Sequence, residues 1–377
     1  MLDADVEVDR REFTVRASIT VAPGERLALF GPSGAGKTTL LETIAGLVQP
    51  RAGLVELAGR VLTRTDAPKV AVPPWQRQVG LLRQDPGLFP HLSVRDNLTY
   101  ARTADRGAEL TELAGALGIG DLLTAMPARL SGGQQHRAAL ARLLLARCEA
   151  LLLDEPYSGL DAALRRTLTA LVVRLVTERG VPAVLVAHEL ADAQSFANRM
   201  AVLDAGQVLQ TGSPDQVVLR PGSVRVAELV GYLGFAAVPG RPDVVAGIHP
   251  DRVRPGAENG GGLLLTGTVL SARPAGAGWE TELQLPGSVV ICRLPERPGP
   301  DGSELAVTAI DPPLFSPDGT ALPDAGRPGG GLLSGAPLGG ELPGDGYLGG
   351  DLPGEIVPTS RLRAEDTDRL AGQEGAR

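Results

Sequence analysis

The sequence predicts an α/β fold with a central, largely parallel sheet, followed by a small all-β domain and a disordered tail. Three observations carry that prediction. Residues 1–235 alternate short apolar runs with amphipathic helical stretches, the order that lays helices on a parallel sheet. Residues 238–315 hold short β-prone runs separated by Gly and Pro clusters, without a helix signal, which reads as a small barrel. Residues 316–377 are Gly/Pro-rich and repeat themselves: Gly339-Gly340-Glu341-Leu342-Pro343-Gly344 returns as Gly349-Gly350-Asp351-Leu352-Pro353-Gly354. Such a segment has too few large apolar groups to offset its ordering entropy.

Within the first zone, runs 26–30, 151–154 and 184–187 are almost continuously hydrophobic, as expected of strands buried on both faces. Helical stretches cover 37–48, 135–147 and 160–178. Runs 200–203 and 207–210 flank Asp204-Ala205-Gly206, a hairpin with glycine at its turn. In the second zone the expected strands are 244–248, 263–269, 280–285, 289–294 and 304–310.

Composition excludes several classes. The net charge of −8 over 377 residues argues against a nucleic-acid binder, which shows a basic stripe. Two cysteines, Cys148 and Cys292, are too few for a disulfide framework and lack metal-ligand spacing. The acidic start Met1-Leu2-Asp3-Ala4-Asp5 is not a secretory signal. No run of about 18 apolar residues is present, so a membrane role requires a partner.

The chemistry lies in three segments. Gly31-Pro32-Ser33-Gly34-Ala35-Gly36-Lys37-Thr38 fits G-x-x-x-x-G-K-[ST] between an expected strand and an expected helix. Its glycines let the backbone wrap a phosphate, and the helix start turns N–H groups toward the anion. Lys37 adds a point charge, and the Thr38 hydroxyl suits Mg²⁺; Thr39 continues the loop. Leu151-Leu152-Leu153-Asp154-Glu155 delivers two carboxylates to the sheet edge, where ligands of α/β proteins bind. Asp154 suits the metal. Glu155 points the other way and suits a general base. Ser131-Gly132-Gly133-Gln134 places an N-cap and bare N–H groups at a helix start, a second anion site without a lysine. Two phosphate sites of such different character suit two chains packed head to tail, with the nucleotide between Lys37 of one and Ser131 of the other.

At this point the chain resembles the ATP-binding subunits of ABC transporters over residues 1–235: a P-loop NTPase core with a helical subdomain. Its motifs stand in the family's order. Gly31 to Thr38 is similar to the Walker A loop, Leu130 to Gln134 to the signature motif and Leu151 to Glu155 to Walker B. Gln84 resembles the Q-loop glutamine, Ser158-Gly159-Leu160-Asp161 the D-loop and His188 the switch histidine. The resemblance implies ATP and Mg²⁺ as ligands. It assigns Glu155, His188 and Gln84 to catalysis, and Thr38, Gln84 and Asp154 to the metal. It assigns Gly31 to Thr39, Ser131 to Gln134 and Asp161 to the nucleotide. It also implies a groove for a permease helix at residues 88–94, and a place on the cytoplasmic face of the membrane. Two departures stand out. The adenine-stacking aromatic has no counterpart within residues 8–11, and Phe13 falls in an alternating run that suggests strand core. His136 stands where relatives carry a long polar residue.

The segment Val245-Ala246-Gly247-Ile248-His249-Pro250-Asp251-Arg252-Val253 resembles the opening of the TOBE/MOP-like β-barrel of bacterial import ATPases. Residues 88–100 look most like the molybdate branch. The expected function is therefore the ATPase of an ABC importer for molybdate or tungstate. It would act as a dimer with permease subunits and, through them, a solute-binding protein. Sulfate, polyamine or another small solute stays open, as does a soluble ABC ATPase outside transport.

Overall fold

The computed structural model describes residues 1–11, 13–100, 107–157, 160–256 and 262–323. The tail from 324 and the D-loop residues Ser158 and Gly159 lie outside these.

The chain opens with β1 (Leu2–Asp9) and β2 (Thr14–Val21), an antiparallel pair whose apolar residues alternate between buried and open faces. β3 (Arg26–Phe30) follows, then α1 (Lys37–Ala45). An antiparallel run β4 (Ala52–Leu57), β5 (Arg60–Arg64) and β6 (Val70–Ala71) leads to β7 (Val79–Leu82). A helical insertion carries α2 (Val94–Thr99), α3 (Gly107–Ala116) and α4 (Gly132–Leu145). Strands and helices then alternate as β8 (Ala150–Asp154), α5 (Ala162–Arg179), β9 (Ala183–Ala187), α6 (Leu190–Phe196) and β10 (Arg199–Asp204). β11 (Gln207–Gly212), α7 (Pro214–Leu219) and α8 (Val224–Leu229) complete this part.

Eleven strands form one sheet, ordered β6-β5-β4-β1-β2-β11-β10-β3-β9-β8-β7. From β10 to β7 every pairing is parallel. From β6 to β2 every pairing is antiparallel. The expectation of a largely parallel sheet therefore holds for one half. The short links between β1 and β2 and between β4 and β5 leave no room for a crossover, so those strands fold back as hairpins.

The sheet is buried on both faces. Leu27, Leu29, Leu152, Val184 and Val186 face one core with Leu40, Leu41 and Ile44 of α1. Ala28, Phe30, Leu151, Leu153 and Leu185 face the other with residues of α4, α5 and α6. Successive strand residues point to opposite sides, so uninterrupted apolar runs fill both layers. Phosphate loop and carboxylates thus emerge from neighbouring strand ends, with β9 between β3 and β8.

After α8 the regular elements among the described residues are strands and one short 3₁₀ turn, Pro250–Arg252. β12 (Phe235–Val238), β13 (Arg241–Gly247) and later β19 (Leu314–Phe315) make a three-stranded sheet. β14 (Val253–Pro255), β15 (Gly262–Ala275), β16 (Gly278–Leu285), β17 (Ser288–Leu294) and β18 (Glu304–Ile310) pair in the order β14-β18-β15-β16-β17. All five expected strands are present, and neither sheet closes on itself. Residues 316–323, assigned by sequence to the tail, turn back instead: Ala321 N–H donates to Gly222 O (3.0 Å) and Leu322 N–H to Leu314 O (2.8 Å). Val226, Val230, Tyr232 and Phe315 share the core of α4 and α5, which seats the small sheet on the α/β part.

Candidate functional site

The loop between β3 and α1 needs glycine for steric reasons. Gly31 has φ 151°, and a Cβ there would stand 1.9 Å from Leu203 O. Gly36 has φ 101°, and a Cβ would meet Val15 Cγ2 at 2.6 Å. Gly36 caps α1 without a side-chain hydrogen bond, and the first turn holds no acidic residue. That helix start keeps its partial positive charge for a ligand.

Lys37 is 5% exposed. Its ammonium folds back on its own loop, donating to Gly31 O (2.8 Å) and Pro32 O (2.7 Å). Burial pushes its pKa down, while Glu155 and Asp154 push it up. A buried cation resting on two neutral carbonyls is a natural seat for phosphate oxygens. Behind it the Thr38 hydroxyl donates to Asp154 Oδ2 (2.9 Å). Asp154 is 2% exposed, and burial pushes its carboxyl up against the opposing pull of Thr38.

Glu155 adopts φ 51°, a left-handed backbone that non-glycine residues rarely take. Gln84 Nε2 donates to Glu155 Oε1 at 2.5 Å, and His188 Nε2 contacts the same oxygen. Gln84 follows β7, and His188 follows β9. Three strand ends thus bring an amide, a carboxylate and an imidazole to one point.

These groups line one cleft of ≈ 390 Å³. Its walls are Ser33, Gly34, Gly36, Lys37, Thr38, Thr39, Gln84, Glu155 and His188, with Arg10, Arg11 and Phe13 opposite. Of the last three, Arg10 and Arg11 fall within residues 8–11, where the sequence placed the base contact, and Phe13 lies just beyond it. Phe13 precedes β2; its ring is partly buried against the core beside that strand, as expected, and it also lines the cleft. Arg10 Nε donates to Thr39 Oγ1 (2.8 Å), which ties this wall to α1. The only sequence signal was position, close upstream of the loop.

The residues fit Mg²⁺. Thr38 and Asp154 are hard oxygen donors side by side, and Mg²⁺ takes one or two carboxylates plus substrate phosphates. Gln84 shares the cleft, though its amide nitrogen is engaged by Glu155 rather than by the Thr38–Asp154 pair. Among the described residues no cluster of three or more His, Cys, Asp or Glu could hold a metal alone.

Ser131 and its neighbours do not line this cleft. Ser131 caps α4 in a reciprocal box: Gln134 N–H donates to Ser131 Oγ (3.3 Å), and Ser131 N–H to Gln134 Oε1 (2.8 Å). Gly132 and Gly133 open the helix, at the surface. Asp161 caps α5 by accepting from Ala163 N–H (3.0 Å) and Leu164 N–H (2.9 Å). His136 is buried in α4, with Nε2 unpartnered among the described residues.

Residues 15–158 match the family model described as ABC transporter. This stretch is therefore similar to the ATP-binding domain of ABC transporters. The chain is 42% identical over 218 residues to the Fe(3+) ions import ATP-binding protein FbpC of Pseudomonas fluorescens, covering 57% of this chain and 61% of that one. It is 42% identical over 213 residues to the Molybdenum import ATP-binding protein ModC of Mesorhizobium japonicum, covering 55% and 57%. The chain thus spans about three fifths of the length of these relatives. Among solved structures it is similar to a dimeric bacterial ABC transporter cassette, with TM-score 0.50 and 25% identity over 57% of this chain and 99% of that one. No helix among the described residues is long and apolar enough to cross a membrane.

Proposed function

We propose that the chain binds and hydrolyses MgATP to drive an ABC importer, and that its solute is molybdate or tungstate. The observation that carries the ATPase reading is the convergence of Lys37, Thr38 with Asp154, and Glu155 with Gln84 and His188 at one cleft.

Lys37 would release its two carbonyls and hold the β- and γ-phosphates, with the N-terminal amides of α1 around them. Thr38 and Asp154 would hold Mg²⁺, which supplies positive charge to the phosphate oxygens. Phe13, with Arg10 or Arg11, offers the base a flat wall. Glu155 would accept a proton from the attacking water, and His188 would fix that water in line with the γ-phosphate. The bond from the γ-phosphorus to the bridging oxygen then breaks, leaving ADP and phosphate. Such a reaction depends mostly on positioning and electrostatics.

Ser131 to Gln134 and Asp161 stand apart from the cleft of their own chain. They would complete a partner's cleft in a head-to-tail dimer, as the likeness to a dimeric cassette supports. Phe89 and Tyr100 stack at 4.3 Å between ring centroids, with Tyr100 62% exposed. That apolar pair offers a permease helix a seat on the cytoplasmic face of the membrane. The small β domain is read as the accessory domain of such importers.

The molybdate reading rests on residues 88–100 and on the molybdenum relative. The iron relative matches as well, so the solute needs its own experiment. The subunit is assembled in lipid with its permease, and the solute-binding protein is loaded in turn with molybdate, tungstate, sulfate or ferric iron. Stimulated ATP hydrolysis with molybdate and tungstate alone is the expected result. Stimulation by iron or sulfate instead would keep the importer and discard the solute.

A further inference from the structure

Gln84 is exposed, yet it must meet Glu155 and the metal site repeatedly. β7 holds it from one side. The other side is a loop, Pro86 to Leu92, with no regular structure. Asn97 of α2 holds the far half of that loop at Phe89 and Leu92, and a cation on α4 holds the half next to Gln84. Arg142 Nη1 donates to Gly87 O (2.9 Å), and Nη2 to Pro86 O (3.2 Å). The same guanidinium stands 5.5 Å over the Phe89 ring. Burial lowers its pKa, and among the described residues no ion pair includes it. A half-buried cation without a carboxylate depends on these three contacts for its solvation. All three come from one short loop, so loop and helix are bound to move together.

The other end of α4 is the Ser131 cap. The two positions lie roughly three turns apart, about 16 Å along a stiff helix. One helix therefore carries the second anion site at its start and the grip on the Gln84 loop near its end. Phe89, under the cation, also belongs to the exposed apolar pair with Tyr100.

We infer that Arg142 is a positioning residue that makes the loop from Gln84 to Phe89 travel with α4, so that a nucleotide pressing on Ser131 resets both Gln84 and the Phe89 surface. The part concerning Ser131 rests on the head-to-tail reading above. The clamp itself does not.

Arg137 supplies the control. It also sits on α4 and also grips backbone, donating to Leu117 O (2.9 Å) and Gly133 O (3.3 Å), on the side of α3. The experiment compares wild type, Arg142→Ala, Arg142→Lys and Arg137→Ala in the isolated full-length subunit. Amide hydrogen exchange is followed over residues 85–92, together with nucleotide affinity and ATP turnover. Arg142→Ala is expected to speed exchange in that window by about tenfold or more, since charge-assisted hydrogen bonds are lost. It should lower kcat by a similar factor, with nucleotide affinity nearly unchanged. Arg142→Lys should fall between, because one ammonium cannot serve two carbonyls in fork geometry. Arg137→Ala should leave the window and kcat as in wild type. If Arg142→Ala fails to fold, Phe89→Leu removes the ring, keeps the apolar volume and should show part of the same effect. Unchanged exchange at 85–92 in the Arg142 variants, or the same loss in Arg137→Ala, overturns the inference. A wild type without ATP turnover sinks the ATPase reading instead, and the exchange data still decide the clamp.

Discussion

At the level of single residues, the site combines groups whose surroundings oppose their ordinary state. Lys37 is a buried cation and Asp154 a buried acid that burial pushes toward neutrality. Both are poised to gain from a bound metal and phosphate. Glu155 stores backbone strain where the chemistry is expected. His136 shows the same physics away from the cleft. Burial pushes its imidazole below the usual histidine value of 6.5. The unfolded chain then takes up a proton that the folded chain resists. Stability is fully present above that value and declines as pH falls through it toward the folded value. Replacing His136 with Leu is therefore expected to flatten the fall in urea midpoint between about pH 7.5 and pH 5.5. His249, also pushed down by burial, would leave a residual slope. An unchanged pH dependence in the variant would remove His136 from the account. Motif residues were legible because their types are dictated by phosphate and metal chemistry. Phe13 was legible only in part, since its ring packs against the core beside β2 and lines the cleft as well.

At the level of elements, the parallel strands were legible because burial on both faces leaves unbroken apolar runs. The antiparallel half was not, because its half-buried strands alternate and its hairpins are short. Neither could sequence reveal the device that fixes α1. Arg77 is fully buried beneath the C-terminus of that helix. It donates to Ile44 O (2.8 Å), Val72 O (2.8 Å) and Thr63 Oγ1 (2.8 Å). It lies so close to Gly46 that a Cβ there would stand 2.3 Å from its Nε. A cation at a helix C-terminus is favoured by the dipole, and here it is also the bolt between α1 and the antiparallel strands. Arg77→Met should cost about 3 kcal/mol, because several buried acceptors lose their donor together. Urea unfolding measures this, and a loss below about 1 kcal/mol would contradict it. Asn97 does comparable work on the loop that Arg142 grips, at its far half. Its amide accepts from Phe89 N–H (2.8 Å) and donates to Phe89 O (3.1 Å) and Leu92 O (3.1 Å).

At the level of the whole molecule, the cleft gathers the groups proposed for phosphate and metal but leaves Ser131 to Gln134 and Asp161 outside it. Ser131 to Gln134 present a capped helix start to the surface, and Asp161 caps another. Within the chain these groups only cap their own helices; in the proposed head-to-tail dimer they would face the partner's nucleotide. Ser131→Arg is therefore expected to leave nucleotide binding to one chain within about twofold while lowering turnover by about 10² or more, since only the closed dimer excludes water and completes the charge around the γ-phosphate. Equilibrium binding of a fluorescent ATP analogue, set against steady-state hydrolysis, separates the two effects. Equal loss of both would place Ser131 within the single-chain site. The small β domain was legible as strands because Gly and Pro mark their ends. Its division into two sheets was not, because pairing order is set by tertiary contacts such as the edge-to-face packing of Phe235 on Phe315. In the proposed reaction the cleft hydrolyses ATP with Glu155 as the base. The most direct test is Glu155→Gln, followed by ATP turnover and by sedimentation with and without MgATP. The account predicts turnover reduced by about 10²–10⁴, as expected for loss of a general base, with ATP still bound and the protein held as a dimer. Turnover at the wild-type rate would contradict it.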